Sequence, residues 1–106
     1  MNIIDLDLLV NEPIQFKIGG ETFETPSSPS TQLVLQMVAI ENKVKKAKNA
    51  EEQIHLLAEM VSLLLSQGER KVSIDEVIEK FSPVQMKKVV EVYQQKMTEI
   101  NNNPNS

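Results

Sequence analysis

The chain has 106 residues, 41% of them hydrophobic and 25% charged, with a net charge of −4 and no cysteine. That length supports one modest core, and the acidic balance argues against a nucleic-acid binder, whose affinity comes largely from basic contacts to phosphate. The missing cysteines remove disulfides, thiolate nucleophiles and zinc–thiolate sites together, and fit a reducing cytoplasm.

Residues 1–12 admit two readings. Ile4, Leu6, Leu8 and Val10 alternate as in a strand, while Ile3, Leu6 and Val10 suit a turn or two of helix capped by Asp5. Asp5 and Asp7, with no basic flank, do not make a signal peptide. Pro13 ends the segment, because the residue before proline avoids the helical region.

A β-hairpin is predicted over 14–25. Ile14, Phe16 and Ile18 alternate with Gln15 and Lys17, and Gly19-Gly20 can take the positive φ angles of a two-residue primed turn. That turn sets Phe16 opposite Phe23. A lone hairpin is marginal in water, so its apolar face must lie on helices or on another subunit. Pro26-Ser27-Ser28-Pro29-Ser30 is a stiff connector.

Four helices are predicted next, over 31–47, 50–67, 74–81 and 83–100. Leu33, Met37, Ile40, Val44 and Ala47 fall on one face of the first. Its terminal lysines, Lys43, Lys45, Lys46 and Lys48, complement the helix dipole and read as a solvated end. Asn49 caps the second helix, with Glu52 completing a capping-box-like arrangement, and Gly68 supplies a left-handed stop. Ser73 and Glu76 repeat the box for the third. Ser82-Pro83 opens the fourth, whose inner stripe is Met86, Val89, Val90, Tyr93, Met97 and Ile100. Residues 101–106, Asn-rich, are expected to be a disordered tail after a single domain over 1–100. The longest apolar run is Met37-Val38-Ala39-Ile40, so no membrane span is expected. The predicted fold class is mainly α (α+β), an N-terminal β-hairpin packed on a bundle of about four helices.

The second helix is unusual. Ile54, Leu57, Ala58, Val61, Leu64 and Leu65 form one apolar band, and Leu56, Met60 and Leu63 a second beside it. Only His55, Glu59, Ser62 and Ser66 make a polar strip. A surface helix needs an apolar arc of about 100°. Either this helix is central to the bundle, or one band is covered by another chain. On the second reading Val34, Val38, Leu56, Met60 and Leu63 line a partner or self-association surface. Aspartates at 56 and 60 would then abolish association and leave the monomer folded.

Chemistry is hard to place. His55 is the one histidine, and Glu59 alone stands at metal-ligand spacing from it, short of the three or four ligands zinc takes. Ser73 and Ser82 are accounted for as caps, and Glu51 and Glu52 by the helix dipole. Gly19-Gly20 lacks the lysine and following helix of a phosphate loop. Met60, Met86 and Met97 read as core filler. No catalytic residue, cofactor or metal site is assigned, and the chain is expected not to be an enzyme.

In order, the chain shows a short apolar leader ending Asn11-Glu12-Pro13, then the hairpin Phe16-Lys17-Ile18-Gly19-Gly20-Glu21-Thr22-Phe23-Glu24-Thr25-Pro26. Two longer helices follow, then Val72-Ser73-Ile74-Asp75-Glu76-Val77-Ile78-Glu79-Lys80-Phe81 and a last helix. This resembles the small tail assembly chaperones of long-tailed bacteriophages of Gram-positive bacteria, over nearly the whole chain. The resemblance rests on an apolar–x–apolar–Gly–x–x–apolar hairpin, size and helix order. It implies a partner of the tape measure protein that keeps it soluble, helps tail tube subunits polymerise around it, acts in the bacterial host cytoplasm and leaves before the virion is complete. Many such proteins are made in two lengths by ribosomal frameshifting. The family has no agreed catalytic residues, so none is carried over. Two other readings compete: a small DNA-binding regulator or antitoxin, with the third and fourth helices as a helix-turn-helix, and a structural tail component.

Overall fold

The computed structural model describes residues 13–102, with side chains placed through Thr98. It runs β1 (Ile14–Ile18), β2 (Glu21–Thr25), α1 (Thr31–Lys46), α2 (Ala50–Leu65), α3 (Ile74–Lys80) and α4 (Pro83–Asn102). This is the predicted mainly α architecture, a hairpin followed by four helices. The readings of the leader and of residues 103–106 lie outside the described residues. Residues 101 and 102, expected in a disordered tail, instead close α4. No proline or glycine separates Ile100 from Asn102, so nothing local interrupts the i→i−4 ladder there.

The hairpin has the predicted register, with Phe16 opposite Phe23 and Ile14 opposite Thr25. Gly19 (φ 57°) and Gly20 (φ 83°) both take left-handed backbone, as a primed turn demands. A Cβ at Gly20 would meet no atom within 4 Å, so the penalty of a side chain there is backbone strain alone. Gly20→Ala is therefore expected to destabilise by about 1–2 kcal/mol, read as a lower urea midpoint. Gly19→Asn should change it little, since asparagine tolerates that region.

Phe23 carries the docking. It is 1% exposed, whereas Phe16 is half-buried. Its ring meets Phe81 edge-on, with centroids 5.2 Å apart and planes at 64°. The guanidinium of Arg70, the chain's one arginine, lies 4.2 Å from the Phe23 ring centre. The same guanidinium donates to the Thr22 carbonyl (3.2 Å) and to the carboxylates of Glu21 and Glu76 (both 3.0 Å). Lys80 bridges Glu21 and Glu76 as well, at 3.0 Å each. Two cations and two carboxylates thus tie the turn end of the hairpin to α3 and the loop before it.

Arg70 and then Lys80 hold the Glu21 carboxyl below its ordinary value of 4.5, and Lys80 is the chief cause of the same lowering at Glu76. A carboxylate whose folded pKa is lowered contributes stability that is present above the unfolded value. That stability is lost as pH falls through the folded value. The melting temperature should therefore drop on acidification from the ordinary value of 4.5 downward. A Glu21→Gln, Glu76→Gln double variant should show a shallower drop, and an equal drop would rule out this origin. All four groups are solvent-accessible, so high salt should also weaken the cluster.

Thr25, beside the connector, is buried, and its hydroxyl has no hydrogen-bond partner among the described residues. An unsatisfied buried hydroxyl costs about 1–3 kcal/mol. Thr25→Val keeps the shape and removes that cost, so its thermal midpoint should rise.

The helix starts are built by side chains. Ser30 Oγ accepts from the Leu33 N–H (3.1 Å) and Asn49 Oδ1 from the Glu52 N–H (2.8 Å). Glu52 reaches back to the N–H of Lys48, one residue before the cap, so the expected box is displaced by one position. Ser73 Oγ accepts from the Glu76 N–H (3.1 Å), but the Glu76 carboxylate is drawn to Arg70 and Lys80 and does not close a box. The reciprocal box forms at α4: Ser82 Oγ accepts from the Gln85 N–H (3.2 Å) and Gln85 Oε1 from the Ser82 N–H (2.8 Å).

The expected left-handed stop at Gly68 does not form; among the described residues only Gly19 and Gly20 have positive φ. Side chains do its work. Gln67 Nε2 donates to the Leu63 carbonyl (2.8 Å), and Lys71 Nζ to those of Ser66 (2.8 Å) and Gly68 (3.1 Å). The Leu63 carbonyl, which also accepts the Ser66 N–H, and two carbonyls just past the helix are thereby engaged without a Schellman turn.

The core gathers on α2, which packs against α1, α3, α4 and β2. Leu33, Met37 and Ile40 enter it from α1, Val77 from α3, and Met86, Val89, Val90 and Tyr93 from α4. Burial, with the Glu41 carboxylate of α1 adding to it, pushes the Tyr93 phenol up.

Candidate functional site

Of the five residues expected to line a partner surface, two lie inside the chain's own core. Leu56 is 8% exposed and Met60 5%. The second apolar band of α2 is not spare: the helix is hemmed in by three helices and a strand, and that enclosure uses most of its circumference. The central-helix reading is the one the structure supports. Leu63 and Val34 are half-buried at the margin, and Val38 is 46% exposed.

Val38 has a neighbour that sequence reasoning missed. Leu35, 65% exposed, sits three residues before it on the outer side of α1, away from Leu33, Met37 and Ile40. The i, i+3 spacing of Leu35 and Val38 was the available signal. Farther along α1, Lys45 and Lys46 are exposed, so the outer surface changes from apolar to basic along the helix.

Part of the polar strip of α2 is bonded within the chain. Ser62 Oγ donates to the Val72 carbonyl at 2.6 Å, and Ser66 Oγ to the same oxygen at 3.0 Å, while the Val72 N–H donates back to Ser66 Oγ at 2.9 Å. These bonds pin the α2–α3 connection across the strip and bring Ile74 beside it. The result is an open groove of about 400 Å³ between α1, α2 and the start of α3. Ala39, Ile40, Leu63 and Ile74 form its apolar walls; Gln36, Glu59, Ser62 and Ser66 supply its polar atoms.

Within the groove the two serine hydroxyls are committed to Val72, which leaves Glu59 as the charged group. His55 is exposed one turn earlier on α2, beside Asn49, Glu51 and Glu52 rather than in the groove. Among the described residues no group of three or more His, Cys, Asp or Glu side chains is placed to hold a metal ion. No helix of the described residues is long and apolar enough to cross a membrane. What the groove offers is apolar surface with one carboxylate in it, an arrangement suited to binding a side of another chain.

No family model, curated protein or solved structure was found to match this chain.

Proposed function

We propose that this chain is a non-catalytic assembly chaperone for a long-tailed phage, binding the tape measure protein, keeping it soluble and helping to recruit tail tube subunits. The observation that carries the reading is the open apolar groove alongside the central helix, flanked on the outer side of α1 by exposed Leu35 and Val38. A long amphipathic helix held in solution needs such a surface, in the helix-in-groove mode. The hairpin followed by four helices is the element order on which the resemblance to this family rests. In this reading the protein works in the bacterial host cytoplasm, is absent from the finished virion, and shelters Leu35 and Val38 by self-association when idle.

Co-expression with the tape measure protein encoded beside it, followed by size-exclusion chromatography with light scattering, tests the proposal. The expected result is a soluble complex of defined stoichiometry, with the tape measure protein insoluble when made alone. A monomer that elutes apart from an insoluble tape measure protein would refute it. Finding the chain in purified particles would favour a structural tail component instead.

A further inference from the structure

Among the described residues, nothing answers the charge of Glu59. Its side chain is half-buried in the groove, and no hydrogen bond or ion pair from the described residues engages its carboxylate. Lys43, one turn beyond Ile40 on α1, makes no ion pair with it. The half-buried carboxylate stands beside Ala39, Ile40, Leu63 and Ile74, where a cation or a hydrogen-bond donor carried by a partner would find an acceptor. From Glu59 to Ser66 the groove follows α2 for seven residues, a length of about 10 Å at the helical rise. That is two turns, enough for apolar anchors at i and i+4 of a visiting helix and a third residue between them.

We propose that this groove seats one face of a partner's amphipathic helix, with apolar side chains between the α1 wall and Ile74 and a lysine or arginine paired to Glu59. The proposal rests on the reading that the chain binds a helical partner, and it names the site and the chemistry of that partner. Charge selects this occupant over a second copy of the chain. The net charge is −4, so a second copy offers Glu59 a less favourable partner than a basic helix does.

Two measurements decide it. In the co-expression experiment, Glu59→Arg should lower recovery of the tape measure complex by about tenfold or more, as expected for loss of a charge-assisted bond and its replacement by repulsion. Glu59→Gln should give a smaller loss. Both variants should melt at the native temperature, because Glu59 holds no bond among the described residues. Undiminished complex with Glu59→Arg would overturn the groove assignment while leaving the chaperone reading in place.

The second measurement needs no tape measure protein. A synthetic helical peptide with leucines at i and i+4 and a lysine between them is titrated into labelled native chain. Backbone amide shifts should move at Ala39, Leu63 and Ile74, and should not move with the same peptide carrying glutamate for lysine. The Glu59→Arg chain should reverse that preference. Absence of these shifts, shifts elsewhere, or equal binding of both peptides would overturn the proposal. If no complex forms with the tape measure protein yet the lysine peptide fills the groove, the chaperone reading falls and the basic-helix site stands.

Discussion

A chain carrying Leu56→Asp and Met60→Asp is expected to lose its fold rather than a partner. Both side chains are buried, at 8% and 5% exposure, on the helix that every other helix touches. Truncating either to alanine would cost about 2–5 kcal/mol, and a carboxylate adds the penalty of desolvating a charge. Together these losses match or exceed the roughly 5–15 kcal/mol that holds an ordinary domain together. Far-UV circular dichroism with a thermal melt should show no cooperative transition. A double variant that melts cooperatively at the native temperature would return Leu56 and Met60 to a surface and revive their place in an interface. Val38→Asp is the contrast: at 46% exposure it should shift stability by no more than about 0.5 kcal/mol. Any effect of Val38→Asp on light-scattering mass then reports association directly.

Phe23→Ala should cost about 3–5 kcal/mol, the second large effect. This ring is where the hairpin meets the helices, stacked edge-on to Phe81 and covered by Arg70. Its removal takes away buried area, an aromatic contact and the surface on which the guanidinium rests. Urea denaturation gives the total. A double-mutant cycle with Phe81→Leu isolates the ring pair, for which a coupling of about 0.5–1.5 kcal/mol is expected. Strictly additive losses would mean that the ring pair contributes nothing beyond area. In hydrogen exchange, the β1 and β2 amides of the variant should open well before those of α2, since the hairpin alone is marginal. An unchanged urea midpoint would show that the helical bundle does not depend on hairpin docking.

Arg70 shows what sequence periodicity leaves out. Nothing around it repeats, and its partners Glu21 and Thr22 lie 49 and 48 positions away. Glu76 was assigned to a local box because its spacing from Ser73 fits one, yet two cations outcompete the weaker bond to a backbone N–H. Gln85, at the same spacing from Ser82, closes the box. Ser62 and Ser66 read from the sequence only as part of a polar strip, because a wheel shows one helix. Their acceptor is the carbonyl of Val72, in a loop that turns back across them. The groove exists because of that return, so neither it nor the isolation of Glu59 could be read from α2 alone.

What the sequence by itself determined is local. Glycines that accept left-handed φ, side-chain caps within three residues, and apolar spacing with periods of 2.0 and 3.6 fix the hairpin register and the number and order of the helices. Tertiary structure alone decided which apolar side chains stay uncovered. Hydrophobic burial is non-directional: a leucine facing its own bundle and one facing a partner carry the same signal in sequence. The choice fell to packing geometry, which enclosed Leu56 and Met60, left Leu35 and Val38 in the open, and set Glu59 without a cation between apolar walls.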